Sequence, residues 1–348
     1  MKYTAMMKSA LTALMAGSLA ACSSGSAAAA AGTASATAAA SAESKTYKVA
    51  VVKQLDHASL DEIADAITAE LDKLAEENGV TIQYGDVYSG QNDQTTLQQI
   101  GSQVIADGAD CIIPIATLAA QTMTAAAEET RTPVIFAAIS DPDSAELTGI
   151  DYVSGTSDAL NTTQIMDMIF AQNPDAKKIG LLYSKSETNS VKPIEDAKAY
   201  LDQKGIEYVE ATGNTNDEVI QAASSLVADG VDAVFTPTDN VVMAAELAIA
   251  PTLAEAGIPH YAGADSFVRN GAFATCGVNY TDLGTETADL AFKAMTEGME
   301  SLGDYYESYE VMPGGIITVN TETAAALNAD YSMFNDFGKI VEVTTTED

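Results

Sequence analysis

From residue 47 onward the apolar residues follow two alternating rhythms. Tyr47 to Lys53 is a β-branched run fit for a buried strand. Leu60, Ile63, Ala64, Ile67, Leu71 and Leu74 then recur at helical spacing, predicting a helix over 60–77 that Gly79 ends. The alternation continues with strands predicted at 80–88, 110–115 and 133–139 and helices at 95–106 and 118–129. It then restarts, with helices at 161–170, 190–204, 217–228 and 241–256 and strands at 178–183, 206–211, 233–236 and 259–263. Strands alternating with helices of this length predict parallel sheets covered on both faces.

One internal match divides this run in two. Ile105-Ala-Asp-Gly-Ala-Asp-Cys-Ile-Ile-Pro-Ile-Ala-Thr117 parallels Val227-Ala-Asp-Gly-Val-Asp-Ala-Val-Phe-Thr-Pro-Thr-Asp239. Each ends a helix at Ala-Asp-Gly, enters a strand at Asp, and leaves it at a Thr or Asp placed to cap the next helix. The expected fold is therefore α/β, two doubly wound parallel-sheet lobes with a ligand cleft between them. The remaining elements are a strand at 272–278, a long amphipathic helix at 283–299, a tyrosine-rich and then strand-like stretch at 305–319, and a short helix at 324–327. They must lie back across the two lobes. The expected division is 47–155 plus about 281–305 for the first lobe, and 156–280 plus about 306–340 for the second. Crossings between lobes are expected near Ser154 to Asp158, near Asn279 to Asp282 and further on, making a hinge.

The first 46 residues obey neither rhythm. Lys2 and Lys8 precede a short apolar run ending in Leu19-Ala20-Ala21-Cys22, so residues 1–21 read as a lipoprotein signal peptide and Cys22 as the lipidated residue. Residues 22–46 are nearly all Ser, Ala, Gly and Thr, too poor in large apolar side chains to repay ordering, and read as a flexible tether. A lipid anchor followed by a leash places the body in an extracytoplasmic location beside the cell membrane.

Charge narrows the class of partner. In 348 residues, 50 acidic face 16 basic, for a formal charge of −34. The two arginines, Arg131 and Arg269, give no basic face, which excludes nucleic acid and docking on anionic lipid. The two histidines, His57 and His260, are far apart and no Cys/His cluster has ligand spacing, so no metal and no cofactor are expected. Cys111 and Cys276 each lie in an apolar run and read as free buried thiols. There is no G-x-S-x-G elbow, P-loop or glycine-rich dinucleotide turn, so an enzyme is not expected.

In open parallel sheets ligands bind beyond the carboxyl ends of the strands. The segments there are small, polar and of capping type: Gln54 to Ala58, Ala116 to Gln121, Ser140 to Asp143, Ser184 to Ser190, Thr236 to Asn240 and Gly263 to Ser266. Helix-start amides bind anions. Candidate ligand residues are His57, Thr117, Leu118, Ala119, Asp141, Ser186, Asn189, Ser190, Thr238, Asp239, Asn240 and Asp265. Within this set Asp239 or Asp265 would hold an ammonium, with Asp141 and Asp158 next in line. Ser186, Asn189 and Ser190, with the amides near Thr117 to Ala119, would hold a carboxylate.

Several strings in these segments belong together. Ala116-Thr-Leu-Ala-Ala-Gln121, Ser140-Asp-Pro142, Ser154-Gly-Thr-Ser-Asp158, Tyr183-Ser-Lys-Ser-Glu-Thr-Asn-Ser190, Pro237-Thr-Asp-Asn240 and Gly263-Ala-Asp265 make the chain resemble the ABC-transporter substrate-binding lipoproteins of the tryptophan/tyrosine type, a branch of the type 1 periplasmic-binding fold. The resemblance runs from about Tyr47 to about Asn328. Leu118 departs from it, where many relatives carry proline, and Tyr305 to Tyr309 has no counterpart. The resemblance implies a monomeric receptor that closes over a small solute and delivers it to a membrane permease driven by a separate ATPase, and an amino acid, aromatic in the better-understood relatives. The alternative is the same fold binding a sugar, nucleoside or short peptide, or serving a sensor; the absence of tryptophan demotes sugar. Replacing Cys22 with serine is expected to release the protein from the membrane fraction; retention of Cys22→Ser there would remove the lipid anchor from the picture.

Overall fold

The computed structural model describes residues 45–346. The expected signal peptide, Cys22 and nearly all of the expected tether lie outside the described residues. The chain runs β1 (Thr46–Lys53), α1 (Ala58–Asn78), β2 (Thr81–Tyr84), β3 (Tyr88–Ser89), α2 (Gln94–Ala106), β4 (Cys111–Ile115), α3 (Thr117–Ala126), β5 (Val134–Phe136) and β6 (Val153–Ser157). It crosses to α4 (Thr162–Gln172), β7 (Lys178–Tyr183), α5 (Val191–Lys204), β8 (Glu207–Thr212), α6 (Asn216–Asp229), β9 (Ala233–Thr236), α7 (Asn240–Met243), α8 (Glu246–Glu255), β10 (His260–Ala262), α9 (Asp265–Arg269) and β11 (Ala274–Gly277). It returns through α10 (Tyr280–Glu297) and β12 (Glu310–Val311), and ends with β13 (Ile316–Asn320), α11 (Thr321–Leu327) and β14 (Ile340–Val343).

Two sheets result. The first has the order β12-β6-β5-β4-β1-β2, with β3 also on β1; the second has the order β14-β13-β11-β10-β9-β7-β8. All pairings are parallel except that of β11 with β13. These are the two doubly wound lobes that the alternating pattern predicts.

The two repeat segments fold alike. Asp110 Oδ2 accepts the Lys48 backbone N–H at 2.8 Å, and Asp232 Oδ2 accepts that of Lys178 at 2.9 Å. Each aspartate thus ties its strand to the strand beside it. Apolar residues fill both faces of each sheet. On one side of the first sheet Val52, Ile112 and Phe136 meet Leu97 and Met123; on the other Ile113 and Ile135 meet Ile63, Ile67 and Leu283. In the second sheet Tyr261 packs edge-on to Phe273 at 5.4 Å between ring centres, and Phe334 closes the group.

Four local readings need correction. Ser154 to Ser157 is not a hinge but most of β6, a fully buried strand. Its polar side chains hid it; they are tolerated because Ser154 Oγ donates to the Tyr305 carbonyl at 2.8 Å and Thr156 Oγ1 lies 2.7 Å from Thr287 Oγ1. The strand expected over 80–88 breaks in two at 85–87. The helix expected over 241–256 breaks between Met243 and Glu246. The stretch from about 306 begins in the first sheet, because β12 pairs with Thr156 and Ser157 of β6. The chain therefore passes between the sheets at 158–161, at 278–279 and at 312–315.

Cys111 in β4 and Cys276 in β11 are free, buried and in different sheets. No helix among the described residues is long and apolar enough to cross a membrane.

In the first lobe α1 packs on α10, and Gly284 permits their close approach. A Cβ there would stand 2.7 Å from both Ala66 Cβ and the Ile63 carbonyl oxygen. Alanine gains about 1 kcal/mol in helix propensity over glycine, but overpacking costs about 1–3 kcal/mol and a backbone oxygen cannot step aside. Gly284→Ala is expected to lose about 1–2 kcal/mol net, read as a lower urea midpoint at unchanged slope; a higher midpoint would contradict this close approach.

Candidate functional site

The carboxyl ends of both sheets face one cavity. From the first lobe come His57, Ser59 and Leu60 after β1, Ala116 and Thr117 after β4, Ala138 and Ser140 after β5, Asp158 after β6, and Tyr280 at the start of α10. From the second come Asn189, Thr238, Asp239, Asn240, Met243, Ala264 and Phe267. The free room left in the cavity is about 20 Å³. Roughly 10–15 Å³ of such room holds a single water. The lobes are closed on one another, and a solute enters only when they part.

Two hydrogen-bonded chains hold them closed. In the first, the Leu118 N–H donates to Gln54 Oε1 at 2.9 Å, and Gln54 Nε2 donates across the cleft to Glu187 Oε1 at 2.8 Å. Asn240 Nδ2 donates to Glu187 Oε2 at 2.7 Å, which turns Asn240 Oδ1 toward His57 Nε2, 3.0 Å away in the first lobe. The imidazole proton is thus on Nε2, and Nδ1 is buried without a partner. In the second chain Asp158 accepts from Ser140 Oγ at 2.9 Å and from the Tyr280 hydroxyl at 3.0 Å. Because Ser140 gives its proton to Asp158, its oxygen accepts from Thr238 Oγ1 of the other lobe at 2.8 Å. Asn189 Nδ2 donates to the Thr238 carbonyl at 2.7 Å, leaving Asn189 Oδ1 buried and unpaired. Ser59 and Ser266 add a third bond across the cleft.

Burial dominates the electrostatics. It pushes the Asp158 carboxyl above the ordinary aspartate range. It pushes Glu187 up to about 7, with the charge of Asp239 adding to the effect. It drives His57 down to about 4, so the ring is neutral. Among the described residues no Lys or Arg lines the cavity.

The repeat places Thr117 and Asp239 at corresponding positions, but the two helix starts differ. Asp239 caps α7 through the Val242 N–H at 3.0 Å, and its other oxygen takes the Ser184 N–H at 2.7 Å and the Ser190 hydroxyl at 2.6 Å. In the first lobe the cap position of α3 is Ala116, which has no side chain to offer, so the helix start faces the cavity at Thr117. Ala116 and Ala138 both have positive φ, 74° and 57°. Such strain costs about 1–3 kcal/mol and concentrates at functional sites.

Of the twelve candidate residues, His57, Thr117, Asn189, Thr238, Asp239 and Asn240 line the cavity. Leu118 contributes its N–H to Gln54 instead, and Ala119 is buried behind it. Asp141 turns back on the Ser144 N–H and hydroxyl at 3.0 and 2.7 Å. Ser186 is exposed and bonded to Ser184, and Ser190 serves Asp239. Asp265 lies outside the lining, paired with Arg269 at 3.2 Å. Capping chemistry explains each of these, since cap residues and ligand residues are the same types at the same strand ends. Nothing in the sequence marked Ala138, Met243, Phe267 or Tyr280; Ser140 stood in a segment after a strand without being chosen, and Asp158 was named only as a reserve partner for an ammonium. Among the described residues no group of three or more His, Cys, Asp or Glu is placed to hold a metal ion.

Residues 48–308 match the family described as ABC transporter substrate binding protein. The chain belongs to that family. This substrate-binding protein is 33% identical over 292 residues to the tyrosine-binding protein of Clostridioides difficile (strain R20291), covering 82% of each chain. It is 26% identical to an ABC domain from Streptococcus pneumonia solved in complex with L-Trp, with TM-score 0.76 over 86% of this chain and all of that one. It is 29% identical to a ligand-free, open substrate-binding protein with adhesive properties from Clostridium difficile, over the same shares, but there the TM-score is 0.61. The better match to the Trp complex than to the open form agrees with lobes that touch across the cleft.

The titrations of Glu187 and His57 oppose each other. Glu187 is raised from 4.5, so its contribution to stability is full below about pH 4.5 and is lost as pH rises through about 7. His57 is lowered from 6.5, so its contribution is full above about 6.5 and is lost as pH falls through about 4. The two slopes cancel over roughly pH 4.5–6.5. In Glu187→Gln the histidine slope is expected to stand alone, with the stability difference from the parent changing by about 2–3 kcal/mol between pH 4.5 and 7. A difference that stays flat across that range in denaturant titrations would place Glu187 in water.

Proposed function

We propose that this substrate-binding protein takes an aromatic α-amino acid between its lobes and passes it to a membrane permease driven by a separate ATPase. The observation that carries the reading is the balance of donors and acceptors in the cavity. The hydroxyls of Tyr280, Ser140 and Thr238 already donate, whereas Asp158, Asn189 Oδ1 and His57 Nδ1 remain as acceptors. The complement of such a set is a group rich in donors, and a buried carboxylate without a cation calls for an ammonium. The start of α3 at Thr117, where Ala116 offers no side-chain cap and Gln54 takes only the Leu118 N–H, suits the carboxylate. Leu60, Met243 and Phe267 supply the apolar wall that an aromatic side chain needs. The tyrosine-binding relative and the Trp-bound neighbour support the same ligand class.

Asp158, rather than Asp239 or Asp265, is the ammonium partner in this reading. Asp239 is occupied as a cap, and Asp265, with one oxygen on Arg269, lies outside the cavity lining. The protein is a binder and not an enzyme: the hydroxyls beside Asp158 and the His57 ring are held in bonds that fix shape. It works as an extracytoplasmic monomer held to the membrane through lipid on Cys22.

Titration calorimetry with L-tyrosine, L-tryptophan, sugars and nucleosides tests the ligand class; binding of a sugar or nucleoside in place of the amino acids would replace this reading. Asp158→Asn is nearly isosteric and should fold. Removing one partner of a buried pair costs roughly 3–5 kcal/mol, so amino-acid binding is expected to weaken by about two orders of magnitude or more. Affinity within about threefold of the parent would place the ammonium elsewhere.

A further inference from the structure

We propose that His57 Nδ1 is a specificity-determining acceptor that reads a hydrogen-bond donor on the ligand's side chain, a phenolic O–H or an indole N–H, at the end of the cleft away from Asp158. This rests on the amino-acid reading above. His57 follows β1 and Asp158 follows β6, and β4 and β5 stand between those strands. Three strand steps of about 4.8 Å separate the two delivering strands by roughly 14 Å. The two acceptors therefore serve different parts of one ligand. A carboxylate is the group that a buried cation requires, and a neutral imidazole lone pair suits a neutral donor.

The ring is held in one tautomer by the second lobe. Glu187 orients Asn240, and Asn240 takes the Nε2 proton. Glu187 is in turn held by Gln54, itself anchored by the Leu118 N–H and by a bond to Asn92 Oδ1 at 2.9 Å. The result is a lone pair that is buried and unpartnered, on a ring that Asn240 fixes and that belongs to the cavity wall. Leaving such an acceptor unsatisfied under a bound ligand is costly, so a ligand without a donor at that end is disfavoured.

The test is calorimetry with L-tyrosine, L-tryptophan and L-phenylalanine on the parent and on His57→Phe. The parent is expected to bind the better of tyrosine and tryptophan on the order of 100-fold more tightly than phenylalanine. His57→Phe removes both ring nitrogens and keeps the volume; the preference is expected to shrink to within about threefold, with phenylalanine bound no more weakly than by the parent. A merely structural role would instead weaken all three ligands alike, and that result would overturn the proposal. So would a parent that binds phenylalanine within about threefold of the other two, a result that needs no variant to fold. If none of the three binds, the amino-acid reading fails and this inference falls with it, whereas the preceding outcomes leave that reading standing.

Discussion

A cleft between two lobes has to keep its buried polar groups paired when it is empty as well as when it is full. Most of what surrounds this cavity follows from that constraint; His57 Nδ1 and Asn189 Oδ1, buried without partners, are the exceptions. Glu187 and Asp158 are carboxylates in a site without a basic side chain, and each is tolerable only because amides or hydroxyls converge on it. The donors to Glu187 come from both lobes, so satisfying that carboxylate also closes the cleft, and Ser140, while serving Asp158, accepts from Thr238 of the other lobe. Parting the lobes breaks these bonds but gives the same groups to water. Closure is then a near-balanced exchange that a modest gain from a solute can decide.

The fold was legible in the sequence because its signals were redundant. Helical spacing, glycine stops and strand-length apolar runs coincided in almost every unit, and the repeat at Asp110 and Asp232 marked equivalent strands in the two lobes. Where a single signal had to serve, it failed. β6 carries Ser-Gly-Thr-Ser in a fully buried strand, and its burial depends on a hydroxyl from α10 and a backbone carbonyl from the segment before β12, which lie about 130–150 residues away in sequence. The short helix α9 and the edge strand β14 are defined by what they pack on rather than by periodicity.

The site was legible only in outline. The rule that ligands meet the strand ends put the correct segments together, and six of the twelve candidate residues face the cavity. It did not separate residues that cap from residues that face the solute. Asp239 and Asp158 are alike on paper; the difference is that Asp239 has two backbone amides at hydrogen-bond distance and Asp158 has a serine and a tyrosine from remote elements. Tyr280 reaches the cavity because α10 returns to the first lobe after the whole second lobe has been made, a tertiary fact with no local trace. Ala116 and Ala138 take left-handed backbone without glycine, asparagine or aspartate to announce it.

The three passages of chain between the sheets differ in length. That at 278–279 is two residues long, against four for each of the others. Three strands of backbone leave a pair of bodies fewer degrees of freedom than one would. Twisting about a single tether is blocked, and what remains is a bend about an axis close to the shortest span. The same redundancy makes the assembly tolerant of a nick: a cut in one of the longer spans leaves the two bodies joined by the other two, with the axis of motion still defined by Val278 and Asn279.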